Sequence, residues 1–178
     1  MIRATTILGL RYKNKVAMGG DGQVTLDKMI VKSGAQKVRK LYDGKVLAGF
    51  AGSASDAMNL LDKFEKKLEE FHGNLKRASI ELAKEWRTDK YLRTLEAFLG
   101  VMDDRDSFVI SGRGDIIEPD DGIIALGSGS GYALAASRAY LSSKPKGMDA
   151  SDIIKLSLEI TSNICIYTNS QITIIELE

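Results

Sequence analysis

Few side chains in this sequence can act as a nucleophile or as a base near neutral pH, and that scarcity narrows the chemistry. His72 is the only histidine and Cys165 the only cysteine. A single imidazole excludes every arrangement that needs two, the HExxH zinc helix and His-rich zinc sites among them. A thiol–imidazole pair is a poor fit. Cys165 lies in the apolar run Ile164 to Tyr167, where a buried, inert thiol is the ordinary outcome, and His72 falls where a helix should end. A lone cysteine forms no intrachain disulfide, and no charged n-region followed by an apolar stretch opens the chain. Both point to a reducing, cytoplasmic setting.

The glycine cluster Gly127-Ser128-Gly129-Ser130-Gly131 follows a strand-like run and precedes a helical one, the context of a phosphate-binding loop. Its spacing disagrees. The dinucleotide fingerprint needs glycine at 132, where Tyr132 stands, and GxxxxGK[ST] is absent. A nucleophile elbow, GxSxG, needs serine at 129 and meets Gly129. A structural turn is the plain reading. Asp103, Asp104 and Asp106, like Asp120 and Asp121, lack EF-hand spacing and suit solvated turns.

What remains is a nucleophile that needs no histidine. An N-terminal threonine can use its own α-amino group as base, because that amine has an ordinary pKa of about 7.7 to 8.0. Met1-Ile2-Arg3-Ala4 precedes Thr5-Thr6, so removal of residues 1–4 as a leader would make Thr5 the new terminus of a single domain, 5–178.

These residues need a scaffold, and 178 residues suit one domain. With 44% hydrophobic and 28% charged residues, the chain can build a core under a solvated surface, which excludes disordered and membrane-spanning classes. Lys plus Arg number 25 against 24 Asp plus Glu, so no general field attracts nucleic acid or anionic lipid.

Period-two patterning predicts strands at Thr5 to Leu10, Val16 to Met18, Met29 to Val31, Lys37 to Tyr42 and Lys45 to Phe50. Gly19-Gly20-Asp21-Gly22 predicts a turn, and Asp43-Gly44 a two-residue hairpin. After Gly52 the period becomes helical. Ser53 can cap a helix with Ala57, Leu60, Leu61, Phe64, Leu68 and Phe71 on one face. His72-Gly73-Asn74 stops it, and a second helix carries Leu75, Ala78, Leu82 and Trp86. Strands return at Phe98 to Met102, Phe108 to Ile110, Ile116-Ile117 and Ile123 to Leu126. Tyr132 to Leu141 reads as an Ala-rich helix. Asp149 caps a last one with a stripe at Ile153, Leu156, Ile160 and Ile164, before a closing strand, Ile172 to Glu176. Segregated runs of strands and helices argue against a doubly wound parallel sheet. They favour an α+β fold, a four-layer α/β/β/α sandwich of antiparallel sheets.

Six segments, Thr5-Thr6-Ile7, Gly20-Asp21-Gly22-Gln23, Lys37-Val38-Arg39-Lys40-Leu41, Gly49-Phe50-Ala51-Gly52, Trp86-Arg87-Thr88-Asp89 and Ile164-Cys165-Ile166-Tyr167-Thr168-Asn169, together resemble the HslV (ClpQ) family of bacterial proteasome-like peptidases. The resemblance runs from Thr5 to the C-terminus. It implies an N-terminal-nucleophile hydrolase: a threonine-type endopeptidase with Thr5 as nucleophile, Lys37 beside it favouring the neutral amine, and Asp21 holding Lys37. Gly49 would offer its N–H to the oxyanion, and Ser128 would hydrogen-bond near the Thr5 amine. It further implies a cation, sodium or alternatively magnesium, on the carbonyls of Ser162, Cys165 and Thr168, and no organic cofactor. As partners it implies a double hexameric ring of the chain itself, a hexameric AAA+ ATPase of the HslU type that alone uses ATP, and unfolded protein substrates in a closed chamber.

Singly, each residue has a plainer explanation: a solvated strand lysine, a turn-forming aspartate, a bulge glycine. Jointly they favour the hydrolase over a noncatalytic ring subunit of the same architecture. The chain departs from the family pattern twice. Ser130-Gly131 stands where the family has Gly-Pro, which removes a helix-starting proline, and Ser162 stands where it has glycine.

Overall fold

The computed structural model describes residues 2–3, 5–90, 97–111 and 113–177; Met1 and Ala4 of the expected leader, and Glu178 at the end of the expected domain, lie outside the described residues. Strand β1 (Ile2–Arg3) pairs antiparallel with β4 (Val24–Leu26), which in turn pairs with β5 (Met29–Lys32) in a small three-stranded sheet. Between them lie β2 (Thr6–Tyr12) and β3 (Lys15–Asp21), joined at Lys13 and Asn14, both with positive φ. Then come β6 (Val38–Leu41) and β7 (Val46–Gly52). Their turn is the expected one: Asp43 and Gly44 take φ of 53° and 80°, and Lys45 N–H closes on the Tyr42 carbonyl at 3.1 Å.

Helices α1 (Ala54–Glu70) and α2 (Leu75–Thr88) follow, then β8 (Ala97–Met102), β9 (Ser107–Ile110), β10 (Ile116–Ile117), β11 (Ile124–Gly127), α3 (Ser130–Ser143), α4 (Ala150–Ser162) and β12 (Ile172–Glu176). Two antiparallel sheets result, ordered β10-β9-β8-β7-β6 and β11-β2-β3-β12. One apolar cluster lies between the first sheet and α1/α2, a second between the sheets around Ile7, Met18 and Leu47, and a third under α3 and α4. That is the expected four-layer α/β/β/α order.

Helix termini follow from local chemistry. Asn74 accepts the Arg77 N–H and so caps α2, while Asp149 and Asp152 form a reciprocal capping box on α4. Ser53 occupies the N-cap position of α1 without a side-chain capping bond. Although proline is absent, α3 begins at Ser130, because Tyr132 and Ala133 both donate to the Gly129 carbonyl.

Two expectations are corrected. Gly19 and Gly20 do not turn the chain; β3 runs through them to Asp21. A Cβ on Gly19 would lie 2.5 Å from Ile154 and one on Gly20 2.7 Å from Ile7, so glycine here permits close layer packing. On α4 the buried face is Ala150, Ile153, Ile154, Ser157, Leu158 and Thr161, leaving Ile160 and Ile164 exposed. Thr161 can go inside because its hydroxyl donates to the Ser157 carbonyl at 2.7 Å.

Candidate active site

A buried ion pair forms where β3 ends and β6 is about to begin. Lys37 is 3% exposed and Asp21 is fully buried. Lys37 Nζ donates to Asp21 Oδ1 at 2.9 Å and to the Gln23 carbonyl at 2.6 Å. Asp21 is saturated: Oδ1 also accepts the Thr6 N–H at 2.7 Å, and Oδ2 accepts the N–H groups of Gln23 at 2.9 Å and Asn169 at 3.3 Å. A carboxylate so supplied with donors is held in a fixed direction. Burial pushes the Lys37 ammonium below its ordinary pKa, and the charge and hydrogen bond of Asp21 only partly oppose that.

The peptide unit joining Thr5 to Thr6 is gripped at both ends. Its carbonyl accepts the Ser128 N–H at 2.9 Å, and its N–H goes to Asp21 Oδ1, the same oxygen that takes Lys37. Thr5 is thereby tied to the lysine through one carboxylate oxygen. Gly127, at a φ of 90°, makes the close approach possible, since a Cβ there would lie 2.0 Å from the Thr5 carbonyl oxygen. Thr5 itself is 2% exposed and takes a φ of 133°, a conformation that β-branched L residues avoid. Strain is thus placed at Thr5.

Thr6 carries a second network. Its hydroxyl accepts the Gly129 N–H at 3.1 Å, so its own proton is free for the Thr168 hydroxyl, 2.7 Å away. A side chain on Gly129 would meet Thr6 Oγ1 at 2.3 Å. The loop after α4 is pinned further where Gln23 Nε2 donates to the Ile166 carbonyl at 2.8 Å. Ser128 therefore adjoins Thr5 through its main chain, within a turn that the sequence read as structural.

Gly49 lies within β7, next to the residue that meets Lys37. Phe50 N–H donates to the Lys37 carbonyl at 3.1 Å. Gly49 itself pairs with Val38 on β6 and with Gly100 on β8. Glycine at 49 serves packing, because a Cβ would lie 2.7 Å from Ile7 and 2.8 Å from Met18 Sδ on the facing sheet.

The expected cation ligands sit at the C-terminal end of α4, where the helix dipole favours positive charge. The Cys165 carbonyl accepts Thr168 N–H at 3.0 Å, using one lone pair. Among the described residues no backbone N–H reaches the Ser162 or Thr168 carbonyl. Neutral oxygens with spare acceptor capacity fit a hard cation. Ser162 has no positive φ, so serine costs nothing in place of glycine. Among the described residues no group of three or more His, Cys, Asp or Glu side chains could hold a metal instead.

Residue-type reasoning did not single out Thr6, Gln23, the Thr168 hydroxyl or the Asn169 side chain. Their signal is their presence inside the segments that carry the resemblance.

The model of the proteasome family, "Proteasome subunit", matches residues 1–177. The ATP-dependent protease subunit HslV of Chlorobium luteolum is 52% identical over 177 residues, 99% of this chain and 96% of that protein. The ATP-dependent protease subunit ClpQ of Bacillus subtilis is 57% identical over 176 residues, covering 98% and 97%. Among solved structures, the eukaryotic HslV of Trypanosoma brucei superposes with a TM-score of 0.90 at 43% identity, covering 97% of this chain and 99% of that one. A Thiobacillus denitrificans protein titled BPH, at 18% identity and a TM-score of 0.74, shares the fold.

Proposed function

The chain belongs to the proteasome subunit family, among its HslV/ClpQ members, and from that premise we propose that it is the peptidase subunit of an ATP-dependent protease in which Thr5 is the nucleophile. The observation that carries this reading is the Asp21 oxygen shared by Lys37 Nζ and by the N–H next to Thr5.

While residues 1–4 are attached, the Thr5 nitrogen is an amide and accepts no proton. Once the Ala4–Thr5 bond is cut, the free amine takes the proton of the Thr5 hydroxyl, directly or through water. The hydroxyl oxygen then attacks the substrate carbonyl. Lys37, positively charged, disfavours protonation of that amine and stabilises developing negative charge. The developing oxyanion needs an N–H donor, the role the resemblance gives to Gly49. Collapse expels the leaving amine, which takes its proton from the Thr5 ammonium, and water hydrolyses the resulting ester.

Ile2 and Arg3 lie along Leu26 and Thr25 of β4. Loss of the leader would open that edge, where an extended, unfolded polypeptide can add as a strand. Exposed Met29, Ile30 and Val31 on β5, with Ile160, Ile164 and Ile166 near the end of α4, supply apolar surface for neighbours in a double hexameric ring. With no Walker A motif in the chain, the work of unfolding falls to an HslU-type ATPase in the cytoplasm. Among the described residues no helix is long and apolar enough to cross a membrane.

A cation, sodium before magnesium, would be held by the carbonyls of Ser162, Cys165 and Thr168, where it would order the loop beside the site. Replacing Cys165 by Ser should leave any ion dependence intact; a large loss would show that sulfur is a ligand. The test of the whole reading joins intact mass to cleavage of a fluorogenic peptide, after expression with the ATPase. Active chains should begin at Thr5 and run as a ring on sizing. Full activity from chains still beginning at Met1 would overturn it.

A further inference from the structure

We infer that Asn169 is a positioning residue that sets the register of Lys37 against Asp21; this rests on the reading of Thr5 as nucleophile. Asn169 lies between three segments of chain. Its Oδ1 accepts the N–H groups of Gly22 at 3.0 Å and Gln171 at 3.2 Å, and its Nδ2 donates to the Ser33 carbonyl at 2.9 Å. Its own N–H donates to Asp21 Oδ2 at 3.3 Å. Two donors face one end of the amide and a carbonyl faces the other, so only one orientation of the side chain satisfies them all.

The segments it joins are those that carry the ion pair. Gly22 directly follows Asp21, and Ser33 to Ala35 leads into Lys37. These stretches touch: Ala35 N–H donates to the Gly22 carbonyl at 2.9 Å, and a Cβ on Gly22 would fall 2.1 Å from the Ser33 oxygen. Asn169 bridges that contact. It holds Gly22 with one end and Ser33 with the other, and so fixes how far along its segment Lys37 begins. The same bridge ties the loop after α4 to the ion pair, beside the link from Thr168 to Thr6. Loss of the bridge should shift Lys37 relative to Thr5, while Thr25 and Leu26, the β4 residues along the proposed substrate edge, make no bond to the Asn169 side chain.

The test measures kcat and KM for a fluorogenic peptide on assembled, processed particles of wild type, Asn169→Ala, Asn169→Asp and Thr5→Ala, with the ATPase present. Active sites are counted with a threonine-reactive peptide epoxyketone. Misplacing a catalytic group costs roughly 10- to 100-fold, so Asn169→Ala should lose that much in kcat per titrated site with KM within about twofold. Asn169→Asp keeps the acceptor for Gly22 but has no donor for Ser33, and should fall between. If the alanine variant does not assemble, the aspartate variant is judged alone by the same split. Wild-type kcat per site in an assembled variant, or a loss confined to KM or to the number of sites, overturns the inference. Cleavage by Thr5→Ala would instead sink the nucleophile reading, whatever Asn169 does.

Discussion

The interior under α1 and α2 and the polar site around Thr5 are built on opposite principles. Under α1 and α2 the interior is almost pure hydrocarbon: Leu60, Phe64, Leu68, Leu82 and Trp86 fill it, and Ser79 is a rare polar side chain there. At the mouth between the sheets, Thr5, Thr6, Asp21, Gln23, Lys37 and Thr168 are equally buried, yet they are polar and joined to one another. The first region gains stability from area removed from water and tolerates changes of like volume. The second gives up hydrophobic burial for fixed direction, and its buried charges are stable only while each has its partners. Stability and chemistry should therefore separate on mutation.

The sharpest separation is at Thr5. Thr5→Ala should abolish peptide cleavage, because no other hydroxyl shares the amine, while the ring assembles and melts much as wild type does. Thr5→Ser keeps the hydroxyl and should retain part of the rate. Measurable turnover by Thr5→Ala, once contaminating proteases are excluded, would remove the comparison altogether.

Next is Lys37, where both effects should appear together. Lys37→Ala should lose at least about 100-fold in kcat, as other preorganised charge stabilisers do. Leaving Asp21 buried without its cation should also cost about 3–5 kcal/mol. pH sharpens the point. The folded-state pKa of Lys37 is lowered from 10.5, so between that lowered value and 10.5 the unfolded chain binds more protons than the folded one. The contribution of Lys37 to stability therefore rises with pH through that window, and below it the charged lysine detracts. Lys37→Met should flatten this alkaline rise in a series of urea melts; an unchanged slope would mean that burial does not govern the lysine.

The two regions also differ in how far the sequence reveals them. The dry half is written in period: the stripes from Ala57 to Leu68 and from Leu75 to Trp86 are buried as expected, because apolar spacing is what forms such a core. Where polar residues go inside, period misleads. On α4 the stripe predicted through Ile160 and Ile164 loses to a face containing Ser157 and Thr161. The short strands β1 and β4 carry too few residues for alternation, and Gly19-Gly20 uses the vocabulary of a turn for close packing. Thr5 follows by elimination of the other nucleophiles, whereas Asp21 and Lys37 take on a role only through the family resemblance. The link from Asn169 to Gly22 spans 147 residues and leaves no local signature.

The dry half should respond in the opposite sense to Lys37. Phe64→Ala removes a fully buried ring between α1 and the five-stranded sheet. It should cost about 3–5 kcal/mol, measured by chemical denaturation. The particles that remain folded should keep wild-type kcat and KM, since the site's hydrogen bonds include no atom of Phe64. A fall in kcat as deep as that of Lys37→Ala would show that the halves are not separable.

The smallest effect is expected at the helix caps, and it tests whether proximity in the chain matters. Asn74 caps α2 in the dry half, and Asp149 caps α4, whose other end feeds the loop carrying Thr168 and Asn169. Replacing either by alanine removes one acceptor from a first-turn N–H and should cost about 1 kcal/mol. If stability alone were transmitted to the site, Asp149→Ala would lower kcat and Asn74→Ala would not. The geometry argues otherwise. The loop is held by its own bonds to Thr6, Gln23, Gly22 and Ser33, and α4 places 13 residues between the cap and that loop. Fraying at one end of a helix decays within about a turn. Both variants should therefore show the same modest loss in denaturation midpoint and unchanged kcat. A selective drop in Asp149→Ala would mean that the loop takes its position from the helix rather than from the polar network around Asp21.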